Sequence, residues 1–139
     1  MHIIVLNSTL VDWFSKKQAT VEAATYGAKF MELKTAVEKI KAWWYTLRML
    51  SVPIDGPCIV FGDNLSVVMN STDPSSQLKK KHLGITYHLV QEAVAAGIIK
   101  IYHIDTKDNL ANPLTKAVTL LEGKIIKEMF FYSGQIEND

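Results

Sequence analysis

A chain of 139 residues suits one domain built around one core. Apolar residues make up 48% and charged residues 21%, the balance of an ordinary soluble globular chain, and no apolar run reaches the length of a membrane span. The net charge of +1 excludes a global field that would drive nucleic-acid binding, so any basic surface must be local. Arg48 is the single arginine, which leaves lysine point charges rather than bidentate forks for phosphate.

Residues 2–6 (His-Ile-Ile-Val-Leu) read as a strand, Asn7-Ser8 as a turn, and Leu10 to Phe14 as a second strand, together a hairpin. The start from Met1 to Leu6 is apolar but too short for a signal sequence, which sets the expectation of an intracellular protein, cytoplasmic or nuclear, with no membrane partner. From about Thr20 the period changes. Tyr26, Phe30, Leu33, Val37, Ile40, Trp44 and Leu47 alternate by four and three, one apolar stripe on a long helix expected to pack against a sheet. Trp43 and Trp44 read as core and core edge, or as an exposed patch if neighbouring structure is missing. Val52-Pro53 ends the helix, because a residue before proline avoids the helical region.

Cys58 to Phe61 is continuously apolar, which reads as a short strand buried on both faces, opened by Gly56-Pro57 and closed by Gly62. The one cysteine, Cys58, lies in it; an internal disulfide is excluded and a reducing compartment fits. Asp63 and Asn64 follow, where an open α/β sheet forms its sites. Two readings stand side by side here: a carboxylate placed for a metal, or an N-cap for the next helix, Asn64 to Met69. Residues 71–76 (Ser-Thr-Asp-Pro-Ser-Ser) read as a loop. Lys79, Lys80, Lys81 and His82 come next, either a phosphate grip or a solvated helix start. Ile85, Leu89, Ala93 and Ala96 repeat at helical spacing before Gly97, Ile98 to Ile104 forms another strand, and Asp105 to Asn109 a turn into a short helix through Lys116. Leu121, Ile125 and Met129 mark a last helix. His88 and His103 are single histidines on amphipathic elements, better read as packed surface residues than as ligands. There is no repeat and no low-complexity tract. One domain, 1–139, is expected: a hairpin (2–14), a long helix (20–51), a strand–helix–strand unit (58–104) and C-terminal helices (107–132). A strand–helix–strand crossover around Asp63 implies a partly parallel sheet covered by helices.

The runs Ser15-Lys16-Lys17-Gln18, Thr20-Val21-Glu22, Tyr26-Gly27, Gly62-Asp63-Asn64, Lys80-Lys81-His82, Tyr87-His88, Ala95-Ala96-Gly97-Ile98-Ile99 and Asn109-Leu110-Ala111 through Leu114-Thr115-Lys116 stand in one order and spacing. That ordered set, covering roughly residues 3 to 132, resembles the ribonuclease H domain of Ty1/copia-type retrotransposon polyproteins. The resemblance implies an α/β fold, a ribonuclease H-like mixed sheet covered by helices. It also implies two-metal hydrolysis of RNA in an RNA–DNA hybrid, with two Mg²⁺ ions held by three aspartates and one glutamate.

Carried over position by position, the resemblance leaves little of that site. The family's first aspartate lies on a strand before the hairpin, so the fold is expected to lack its usual first, central strand. The glutamate position falls at Lys29, the second aspartate is Asp63, and the last aspartate position falls at Asn112. Asp63 is the one retained candidate catalytic and metal ligand, and tight binding of Mg²⁺ is not expected, since one carboxylate and a neutral amide cannot offset its dehydration. Two arrangements are open for Lys29: an ammonium paired with Asp63 in place of the ion, or one that snorkels to solvent. Asp12, Glu32 and Asp108 are the carboxylates that could rebuild a site. A domain without its central strand exposes sheet edges, which favours a homodimer or a strand-supplying partner.

Two functions follow from these readings. One is a degenerate, non-catalytic domain that serves as a binding or assembly module or survives as a remnant, with weak, salt-sensitive hybrid binding through Lys79, Lys80, Lys81 and His82. The other is a Mg²⁺-dependent ribonuclease H whose site is rebuilt or completed by a partner.

Overall fold

The computed structural model describes residues 2–6, 9–15, 25–73, 84–112, 119–120, 123–124 and 127–128. The chain divides into two compact units, residues 1–17 with 110–139, and residues 18–109.

In the first unit, β1 (His2–Leu6) and β2 (Thr9–Phe14) pair antiparallel, His2 opposite Phe14 and Leu6 opposite Thr9. Ile4 faces Asp12 while Val5 faces Leu10, so β2 carries one extra residue, Val11, in a bulge. The His2 and Phe14 rings stack at 5.5 Å. Residues 120, 123–124 and 127–128 are helical and exposed. The expected stripe of Leu121, Ile125 and Met129 lies outside the described residues.

In the second unit, α1 (Thr25–Met49) is followed by β3 (Cys58–Gly62), α2 (Leu65–Thr72), α3 (Gly84–Ala95) and β4 (Ile99–His103). Strong helix formers (Ala28, Met31, Glu32, Leu33, Lys34, Ala36, Glu38) fill α1. The stripe read from spacing is present: Phe30, Val37 and Ile40 are buried, with Tyr26, Leu33, Trp44 and Leu47 partly so. Its main neighbours, however, are α3 and α2 rather than a sheet. The rings of Phe30 and Tyr87 lie 6.2 Å apart at the centre of that packing. Fully burying a side chain such as Phe30 contributes roughly 1.5–3 kcal/mol.

The end of α1 is set before the proline. Val52 N–H donates to Leu47 O (2.9 Å) and Ser51 N–H to Arg48 O (3.0 Å), with Ser51 in the left-handed region at φ 58°. This is a Schellman motif with serine where glycine is usual. Helix α3 ends the same way with the usual residue: Ile98 N–H donates to Ala93 O, Gly97 N–H to Val94 O, and Gly97 has φ 70°.

Strands β3 and β4 pair in parallel, Cys58 opposite Ile99 and Gly62 opposite His103, joined by the α2–α3 crossover. The α/β class and the parallel crossover are those the element order implies. Both two-stranded sheets are small: β1–β2 and β3–β4 form separate ladders among the described residues.

Three local expectations are corrected. Strand β3 is not buried on both faces: Cys58, Val60 and Gly62 lie on the half-buried face, while Ile59 and Phe61 are 47% and 59% exposed. An unbroken apolar run therefore marks a strand here without marking two covered faces. The buried face of α3 is Thr86, Tyr87, Val90 and Ala93; of the expected stripe Ala93 is buried and Leu89 half-buried, but Ile85 is 84% exposed and Ala96 is exposed too, and Thr86, Tyr87 and Val90 take the core instead. Tyr87 and Thr86 take the core because their polar atoms find partners. Gln91 Nε2 donates to Tyr87 Oη at 2.8 Å, and Thr86 Oγ1 donates to Met31 Sδ at 3.5 Å. Finally, Ser71 and Thr72 belong to α2, not to a loop. Their hydroxyls donate back to Val67 O (2.7 Å) and Val68 O (2.9 Å), which lets polar residues continue the helix to its end.

Candidate functional site

The turn after β3 carries the candidate site. Gly62 ends the strand where α2 comes close: a Cβ there would lie 3.3 Å from Val68 Cγ2, a tight contact to which the Val68 side chain would have to yield. Asn64 caps α2, its backbone extended (φ −108°) and its Oδ1 accepting from Val67 N at 3.1 Å. Of the two readings of the Asp63-Asn64 pair, capping therefore belongs to Asn64, and Asp63 is left free to face elsewhere.

Asp63 meets α1. Lys29 Nζ lies 3.5 Å from Asp63 Oδ1 and also 3.5 Å from Glu32 Oε2, one helical turn further along α1. The ammonium thus sits between two carboxylates. This is the paired arrangement of Lys29, not the snorkelled one. The Asp63 side chain is 12% exposed and that of Lys29 33%, so the aspartate is the more desolvated partner. At this distance, with an effective dielectric of about 20, the attraction is roughly 5 kcal/mol, and most of it offsets desolvation. A net gain on the order of 1 kcal/mol is left for a pair so placed.

A Mg²⁺ ion does not fit this arrangement. It requires several hard oxygen ligands converging on one point with near-octahedral geometry. Asp63 and Glu32 instead share a cation that is covalently part of the chain, and a divalent ion brought to them would meet the Lys29 charge. Among the described residues, no three His, Cys, Asp or Glu side chains gather as a ligand group. Glu32 comes to the site, but as the second partner of Lys29. Asp108 lies in the turn after β4, where its N–H donates to Asp105 O at 2.9 Å. Asp12 and Asn112 belong to the first unit. Lys79, Lys80, Lys81 and His82 lie outside the described residues.

Of the remaining residues picked out from sequence, His88 and His103 are exposed, and the Tyr87 and His88 rings meet edge-on at 5.6 Å. Trp43 and Trp44 are half-buried; Arg48 lies over the Trp44 ring at 4.5 Å, and Tyr45 meets it edge-on. The exposed apolar residues of this end of α1 are instead Tyr45, Met49 and Leu50. Burial holds the Cys58 thiol above its ordinary range. Burial, with Tyr87 nearby, does the same for the Tyr26 hydroxyl. Neither group lies on a candidate site, and both stay protonated at neutral pH. Sequence reading passed over the exposed pair Ile59 and Phe61, because an unbroken apolar run gives no sign of which face is covered.

The chain is similar to transposon polyproteins. It is 25% identical over 118 residues to the retrovirus-related Pol polyproteins from transposons RE2 and RE1 of Arabidopsis thaliana, a match covering 85% of this chain and 8% of each relative. It is 24% identical over 128 residues to the retrovirus-related Pol polyprotein from transposon TNT 1-94 of Nicotiana tabacum, covering 92% of this chain and 10% of that relative. The chain thus spans about a tenth or less of the relatives it matches, and the similarity supports an origin in a retrotransposon Pol polyprotein. No protein-family model and no solved structure matches it.

Proposed function

We propose that this chain is a ribonuclease H-like domain of copia-type retroelement origin that no longer cleaves, and that it acts as a binding or assembly module. The reading draws its family from the ordered motifs and from the Pol relatives. The observation that carries the loss of catalysis is the Lys29 ammonium 3.5 Å from Asp63 and 3.5 Å from Glu32. A two-metal nuclease clamps the attacking and leaving oxygens between two cations held by carboxylates. Here the retained aspartate has its charge satisfied by a side chain. An ammonium offers no open coordination position and cannot lower the pKa of a bound water as a metal does. What is left is a binding role, and the lysine run at 79–81 of the sequence supplies a local positive charge for weak contact with a nucleic-acid backbone.

The test is a calorimetric titration of the purified chain with Mg²⁺ and Mn²⁺, with an RNA–DNA hybrid cleavage assay on the same sample. The expected result is no saturable metal binding and no cleavage. Metal binding together with cleavage, both lost in Asp63→Asn, would overturn the reading and turn attention to Asp12, Glu32 and Asp108 as rebuilt ligands.

A further inference from the structure

A hydrogen bond between side chains of α1 and α3 ends on a sulfur. Other helical hydroxyls turn back to a carbonyl of their own helix: Thr35 donates to Met31 O at 3.1 Å, Ser71 to Val67 O and Thr72 to Val68 O. Thr86 instead donates across to Met31 Sδ at 3.5 Å. Its residue is 6% exposed, so water does not reach the hydroxyl freely, and among the described residues it has no other acceptor. A thioether is a weak acceptor, so this buried donor is held by a weak bond. The bond lies at the centre of the α1–α3 packing. Met31 follows the fully buried Phe30, and Thr86 precedes Tyr87, whose ring lies 6.2 Å from that of Phe30. Met31 itself is half-buried, which leaves its sulfur within reach of a molecule as small as hydrogen peroxide. The same turn of α1 carries Lys29 and Glu32, the residues of the Asp63 bridge.

We infer that Met31 is a redox-sensitive joint, and that its oxidation to the sulfoxide by a peroxide loosens α1 from α3. In the step a lone pair of Sδ attacks one oxygen of hydrogen peroxide. An S–O bond forms as the O–O bond breaks, and the proton on the transferred oxygen passes to the departing hydroxide, giving water. Sulfur loses two electrons and the peroxide gains them. The product is larger, polar and chiral where the thioether was apolar and flexible. A close-packed crossing has no spare volume for the added oxygen, so the two helices must yield. The sulfur lone pair that Thr86 now uses is either converted or weakened, and the hydroxyl must move to find an acceptor. Opening follows in both cases. The change is reversible, because methionine sulfoxide reductases return the thioether. Met49 and Met69 are 85% and 60% exposed, so sulfoxides there meet water and leave the crossing as it is. The joint is a property of the fold and does not depend on whether the domain cleaves.

The test is timed treatment of the 139-residue chain with hydrogen peroxide in a Cys58→Ser background, so that no thiol reacts. Peptide mass mapping follows the gain of about 16 Da at each methionine, and urea denaturation follows stability on the same samples. The expected result is that Met49 and Met69 convert first with the midpoint unmoved, and that the midpoint falls as Met31 converts. Reductase treatment restores it. Met31→Leu, a volume-conserving swap, keeps its midpoint through the same treatment. The double variant Met49→Leu with Met69→Leu still shows the fall. A Met31 that remains a thioether after the exposed methionines are fully converted would overturn the inference. So would an equal fall of the midpoint in Met31→Leu, since the sensitive group would lie elsewhere.

Discussion

Lys29 is the residue on which the chemistry turns. Its ammonium answers two carboxylates at once, and Asp63 is the more buried of them. Removing the cation leaves a largely desolvated negative charge without that partner, a larger loss than the net value of the pair itself. Lys29→Met is expected to cost about 1–2 kcal/mol of stability in chemical denaturation, and Asp63→Asn in the same background to recover part of it. Equal effects of Lys29→Met with and without Asp63→Asn would contradict the coupling. Ser51 makes a second prediction. It holds φ 58° at the end of α1, where a Cβ is strained. Ser51→Gly should raise stability by about 0.5–1 kcal/mol, read as a higher denaturation midpoint. The ion pair was one of two arrangements the sequence left open for Lys29, since a lysine in place of a ligand needs an anion or water, and only the fold decides which is within reach.

At the scale of the element, what could be read followed from period and punctuation. The hairpin around Asn7-Ser8, the buried stripe of α1, and the parallel crossover through Asp63 all rest on such signals. What could not be read depended on tertiary partners. The phase of α3 turns on Gln91, whose amide also donates to Asp73 O at 3.0 Å and ties α3 to the end of α2. With those partners Thr86 and Tyr87 become better core residues than Ile85. The same holds for β3, whose second face is apolar yet exposed. Two expected outcomes belong here. Asn64→Ala removes the cap of α2 and should cost about 1 kcal/mol. The raised thiol of Cys58 gives the sign of a pH effect. The unfolded thiol ionises near its ordinary value of 9.0, before the folded one, so stability is fully present below that pH and falls as pH rises through it toward the folded value. Denaturation midpoints measured across this range should decline less steeply in Cys58→Ser, and an identical decline in both proteins would contradict the assignment.

For the whole molecule, the relatives set the frame. The chain matches about a tenth or less of the Pol polyproteins, and the match supports an origin in a retrotransposon Pol polyprotein. No helix among the described residues is long and apolar enough to cross a membrane. With a net charge of +1, contact with nucleic acid must come from local lysines. Anisotropy of a labelled RNA–DNA hybrid should report weak binding that fades with salt and is lost on replacing Lys79, Lys80 and Lys81 together by alanine; binding insensitive to both would point to another surface. The metal titration bears most directly on the central claim that Lys29 has taken the place of an ion. With Mn²⁺ added to the purified chain by calorimetry, and hybrid cleavage followed on the same sample, the account predicts no saturable heat and intact RNA. Saturable binding with cleavage, both abolished by Asp63→Asn, would contradict it.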